Sequence, residues 1–243
     1  MPVAQVRSIF SAARFALAAG AAIVLSLAMG TAYAGPATGT ISGIVKYAAA
    51  APKPKRIEIT KDKDVCGRKP LFAQDLIVSK DGGIENAVVV LKGAKGKLKP
   101  GTVTFDQKGC EYLPHVLAFE AGGTVNVVNP DGILHSIHAY SGETSLFNKA
   151  QPSFKHSIQE KVDKPGVLKI TCDVHDWMIG WWYVTDTPHF AVTNAKGEFT
   201  IEDVPPGDYT IEAWQEKLGT REQKIDVKAG AATTTDFTFK PKG

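Results

Sequence analysis

The sequence predicts an all-β protein built from sandwiches. Two observations carry this expectation. Short runs rich in Val, Ile, Phe, Tyr and Thr recur along the chain, among them "TISGIVKY", "NAVVVLKG", "GVLKITC" and "HFAVTNAKGEFTIEDVPPGDYTIEAW". Gly, Pro, Asn and Asp clusters bound them, the pattern of strands joined by turns. Beyond the N-terminal apolar run no long window keeps a helical period, so helices are expected to be few. A short helix between Tyr140 and Lys155 is the one addition the pattern allows.

The chain opens with Arg7 and Arg14, an apolar run from Phe15 to Met29, and "TAYAGP", with Ala32 and Ala34 in small-residue positions. This is the pattern of a secretory signal peptide over 1–34, cut after Ala34. The run is short for a bilayer span, which needs ~20 residues, so no stable membrane insertion is expected. The expected location is periplasmic or secreted. Loss of the two arginines takes the formal charge from +3 to +1. Near-neutrality gives no argument for nucleic acid or an anionic membrane as partner.

Three cysteines remain, Cys66, Cys110 and Cys172. In an oxidising compartment paired cysteines tend to bridge. Cys66 with Cys110 is one pairing, since both lie in turn-like contexts ("VCGRKP", "QKGCEY"), but sequence leaves the connectivity open. Under that pairing Cys172 is the free thiol.

Cys172 belongs to "ITCDVHDWMIG", where Cys172, His175 and Met178 follow at intervals of three. In "GVLKITC", Leu168, Ile170 and Cys172 share one strand face, and Lys169 marks the other as wet. Cys172 therefore points inward, and the loop after it brings back His175 and Met178. Thiolate, imidazole and thioether together suit copper. A second imidazole must come from elsewhere. In "NPDGILHSIHAY", His135, Ile137 and Ala139 share a face, so only one of His135 and His138 can reach the same core.

Together "NPDGILHSIHAY" and "CDVHDWMIG" resemble the cupredoxin family, and its amicyanin/plastocyanin-like members in particular. The resemblance covers Phe119 to Val184. It implies a Greek-key β-sandwich, one type 1 copper ion, and His135, Cys172, His175 and Met178 as ligands, with Gly180 at the loop exit. It also implies single-electron transfer between redox protein partners, with the outer edge of His175 as the electron port. Val174 and Asp176 stand where the family carries prolines, and Asp176 adds negative charge favouring the oxidised metal. Exported proteins with this likeness often carry the label methylamine utilisation protein.

His138, Asp176 and Trp177 are expected around the site or on the partner surface. His115, after Pro114, is expected to be structural, with contact to the metal as the alternative. His156 and His189 are expected in ordinary strand or turn positions, and Trp181 and Trp182 in the core or at its rim. Downstream of "VTDTPHF", the alternating segment resembles the carboxypeptidase regulatory-like, transthyretin-type sandwich, a module usually stabilising or adhesive. The domains expected are a β extension over 35–114, a copper domain over 115–186 and this module over 187–243.

A filled Cys-His-His-Met set leaves no open position for hydrolytic chemistry. Gly-x-Ser-x-Gly, His-Glu-x-x-His and phosphate-loop motifs are absent from the sequence, so no enzyme is expected. The alternatives to electron transfer are a non-redox copper binder and an adhesion or binding module.

Overall fold

The computed structural model describes residues 37–241. The expected signal peptide lies outside the described residues. Sixteen strands and one short helix follow in chain order. They are β1 (Gly39–Tyr47), α1 (Lys63–Cys66), β2 (Val88–Lys92), β3 (Thr102–Asp106), β4 (Val116–Glu120), β5 (Gly123–Val128), β6 (His135–Ser141), β7 (Thr144–Gln151) and β8 (Ser157–Val162). Then come β9 (Gly166–Thr171), β10 (Ile179–Thr185), β11 (Phe190–Val192), β12 (Glu198–Val204), β13 (Gly207–Gln215), β14 (Gly219–Val227), β15 (Ala232–Thr234) and β16 (Phe237–Phe239). No helix among the described residues is long and apolar enough to cross a membrane.

The strands form two sandwiches. In one, the sheet β12-β1-β15, with β16 also pairing with β1, faces the sheet β11-β2-β13-β14. Ile41, Val45, Val89, Leu91, Phe199, Ile211 and Phe237 fill the space between. In the other, β4-β10-β9-β6-β7 faces β3-β5-β8. Phe105, Val125, Val127, Ile137, Ile170 and Trp182 fill that core. Trp182 meets Phe105 edge-on, with ring centroids 5.5 Å apart. Alternation explains which side chains point in: every second residue of a strand faces the same way.

β2 is buried on both sides. Val89 and Leu91 enter the core of its own sandwich, while Val88 and Val90 meet Val116 and Tyr183 of the other. An unbroken apolar run such as "AVVVL" is what a strand covered on both faces requires. Polar groups complete this contact. The Tyr183 hydroxyl donates to Glu212 Oε1 at 2.9 Å, and Lys92 Nζ donates to Glu212 Oε2 at 2.7 Å. Removing the acceptor leaves a buried phenol unpaired, at a cost of about 1–3 kcal/mol. Glu212→Ala is therefore expected to lower the denaturation midpoint by that equivalent, with Glu212→Gln losing clearly less. Equal losses in the two variants would refute this account of the interface.

Two expectations need correction. Residues 35–114 are not a separate extension, because β1 and β2 pair with strands of the C-terminal module and β3 pairs with β5. Sequence neighbours end up in different sandwiches because strand pairing here is set over long separations, as in β1 with β12. The second correction concerns the helix allowed between Tyr140 and Lys155. That segment is β7, antiparallel to β6. Its side chains are mostly exposed on both faces, so it lacks the alternation that would have marked it as a strand.

Candidate metal centre

β6 and the turn between β9 and β10 build the centre. His135 is the first residue of β6, and Cys172 follows the end of β9. The β9–β10 pairing sets Thr171 against Ile179, so residues 172–178 form a closed loop. Two backbone bonds shape it, Met178 N–H to His175 O at 2.9 Å and Cys172 N–H to Met178 O at 3.3 Å. Gly180 at its exit is pressed against Phe105, where an added Cβ would lie 2.9 Å from the ring. Cys172 points inward with Leu168 and Ile170, all three buried, as strand phase implies.

His135, Cys172 and His175 converge. The two Nδ1 atoms lie 3.1 Å apart, and His175 Nδ1 is 3.8 Å from Cys172 Sγ. His135 and His175 are fully buried, and Cys172 is 3% exposed. Met178 is buried in the same core as Cys172. Bonds of about 2.0–2.3 Å from nitrogen and sulfur to a first-row metal, at angles near 100–120°, separate the donor atoms by about 3.1–3.8 Å. The three donors therefore fit a single ion held between them.

Each outer imidazole nitrogen meets a carboxylate. His135 Nε2 is 3.1 Å from Asp131 Oδ2, and His175 Nε2 is 2.8 Å from Asp62 Oδ2. Such partners fix which ring nitrogen is free to bind metal. Asp131 is itself held by the backbone N–H groups of Gly109 at 2.7 Å and Cys110 at 2.8 Å. Positive φ angles at both residues, 68° and 59°, turn these groups toward it. Burial raises the Asp131 carboxyl, yet the bonds from His135 and the two N–H groups hold it below its usual range. Burial also opposes charge on His135, and its bonds with Asp131 and Cys172 outweigh this and raise its pKa.

Burial likewise disfavours a charged Cys172. The contacts with His135 and His175 and the bond from the Ser136 N–H prevail and bring the thiol down to about 5. The Ser136 N–H lies 3.4 Å from Sγ. A thiolate is the form that ligates metals.

The remaining expected residues are dispersed around this core. His138 faces away from it and bonds Asp173 at 3.0 Å and Ser145 at 2.8 Å. Trp177 is half-buried, packs on His175 with centroids 5.1 Å apart, and donates to Cys110 O at 3.2 Å. Asp176 is exposed and lines, with Trp177 and Met178, a cleft of about 570 Å³. His115 is not among the converging donors. It pairs with Glu216, whose other oxygen accepts from Trp181 Nε1 at 2.6 Å. His189 is buried and His156 exposed.

Cys66 and Cys110 form a disulfide, leaving Cys172 free and buried. The expected electron port is corrected. The outer edge of His175 is not open, because the segment carrying Asp62 lies over it. Sequence reasoning missed Asp62 and Asp131. Asp131 precedes His135 by four residues in the turn "NPDGILH", a usable signal, whereas Asp62 gives no local sign.

Residues 183–240 match the family model of the carboxypeptidase regulatory-like domain. Among curated proteins, the chain is 31% identical over 78 residues to a probable rhamnogalacturonate lyase A of Aspergillus flavus, covering 31% of this chain and 15% of that protein. It is 32% identical over 67 residues to rhamnogalacturonate lyase A of Emericella nidulans, covering 28% and 12%. The chain thus spans only a small part of these relatives. Among solved structures, a Cu-containing nitrite reductase of Thermus scotoductus is 27% identical, with TM-score 0.32 over 40% of this chain and 25% of that one. A purple cupredoxin of Nitrosopumilus maritimus is 22% identical, with TM-score 0.31 over 34% and 99%. A reduced Cu(I) amicyanin variant is 19% identical, with TM-score 0.32 over 40% and 98%.

Proposed function

We propose that this chain is an exported type 1 copper protein that passes single electrons between redox partners and is not an enzyme. His135, Cys172 and His175 hold the ion, with the Met178 thioether as a weak fourth ligand. The observation that carries the reading is the convergence of two imidazoles and a free thiol, all buried, with the two Nδ1 atoms 3.1 Å apart and His175 Nδ1 3.8 Å from Cys172 Sγ. Copper held there would supply one-electron chemistry between Cu(II) and Cu(I).

The chain's own residues support that use. Burial of all three donors excludes water. The packed sandwich holds His135 on a strand and the other donors on a closed turn, so geometry resists change as charge changes. Cys172 offers a soft anionic donor, and Asp131 and Asp62 keep each Nδ1 turned inward. A disulfide fits an oxidising compartment, which supports a periplasmic or secreted location.

The second reading, copper binding without electron exchange, is favoured by the covered edge of His175. Copper-loaded protein decides between them. Electron transfer requires an intense visible thiolate-to-copper band, a narrow copper hyperfine splitting and a reversible one-electron wave. A thiolate band without that wave indicates a carrier or store. Without a thiolate band the copper assignment to Cys172 is wrong.

A further inference from the structure

The chain between β1 and β2 belongs to the sandwich opposite the metal centre, yet it crosses to cover it. Its base is closed by Ala73 N–H to Lys55 O and Ile57 N–H to Leu71 O, both 2.9 Å. Between these ties runs a strap with three anchors. Ile59 and Val65 pack on the core of the copper sandwich. Cys66 is buried and bonded to Cys110. Asp62, at the start of α1, reaches His175 Nε2 at 2.8 Å.

Asp62 has the left-handed backbone conformation, φ 45° and ψ 45°. A non-glycine residue holds that conformation at a cost its surroundings must offset, smallest for Asn and Asp, and such residues gather at functional sites. Here local contacts hold it. The Val65 and Cys66 N–H groups bond Asp62 O at 2.9 and 2.8 Å, and the disulfide fixes Cys66. The side chain is thereby aimed at His175, which is fully buried although Asp62 itself is partly exposed.

We propose that Asp62 is a positioning residue of the metal centre, delivered by the disulfide-pinned strap, and that it also closes the outer edge of His175 to docking partners. It accepts the Nε2 proton, which leaves Nδ1 unprotonated and facing Cys172 and His135. The disulfide links the two halves of this support, since Asp62 lies four residues before Cys66 and the Cys110 N–H holds Asp131. The inference deepens the copper reading and rests on it for the metal, but the Asp62–His175 contact is testable without copper.

The test uses Asp62→Gly, which keeps the left-handed backbone and removes the acceptor, and Asp62→Asn, which tolerates that backbone and retains an acceptor oxygen. In copper-free protein, nitrogen NMR should show His175 protonated at Nε2 with slow solvent exchange in wild type and Asp62→Asn. That protection should be lost in Asp62→Gly. In copper-loaded protein, release to a chelator should be about 10–100-fold faster in Asp62→Gly, as for other residues that orient ligand histidines, and restored by Asp62→Asn. Unchanged protection or unchanged release in Asp62→Gly would overturn the proposal. If wild type forms no thiolate-copper band, the copper reading fails by itself, and the imidazole proton still decides whether Asp62 positions His175.

Discussion

The Cys66→Ala/Cys110→Ala variant is expected to lose about 4 kcal/mol of stability on the chain-entropy account of cross-links. The bridge joins residues 44 apart in sequence, a long loop to leave open in the unfolded chain. That loop contains β2 from one sandwich and β3 from the other, so the bridge restrains both. Both cysteines are replaced because a lone thiol would introduce exchange with Cys172. A urea titration should show a lower midpoint with a slope equal to or steeper than that of the bridged chain, since the unfolded chain without the cross-link exposes at least as much surface. A loss below about 1 kcal/mol would mean that the strap is held by its apolar and hydrogen-bonded contacts alone.

Cys172→Ala is expected to abolish the visible copper band completely while the fold persists. Only this residue offers a free thiol among the described residues, and the band requires a thiolate bonded to copper. The structural cost is separate. The substitution removes one small buried group and leaves the Ser136 N–H without its sulfur acceptor, a penalty of about 1–3 kcal/mol. The folded variant should therefore still bind copper weakly through His135 and His175 and remain colourless. A band that survives the substitution would refute the role of Cys172.

The parts of this centre that are local in sequence were legible, and the parts that are not were hidden. The phase of "GVLKITC" put Cys172 inward because a strand alternates strictly. The same rule let only one of His135 and His138 reach the core, and the resemblance to cupredoxins chose His135. Spacing alone collected Cys172, His175 and Met178 on one turn. Asp62 stands 113 residues from His175, and nothing in "ITKDKDVCG" distinguishes it from a solvated acidic residue. The closed edge of His175 was hidden for the same reason. Domain limits failed where pairing is remote: no local pattern says that β1 joins β12 or that β2 joins β13. β7 was missed because an edge strand exposed on both faces has no apolar phase to read.

β2 and β11 pair antiparallel, Val90 opposite Phe190. The whole run from β3 to β10 leaves after the first of these strands and returns at the second. The sandwich that carries the candidate metal centre is thus a guest within a host. It enters and exits at neighbouring points, so the host can close around it without distortion, the arrangement in which domain insertions are tolerated. The recognised C-terminal segment, 183–240, takes in the end of β10 and otherwise covers only the later part of a host whose opening strands precede the guest. A natural cut for expressing the guest runs from about β3 to β10, but it would leave the strap and Asp62 behind with the host.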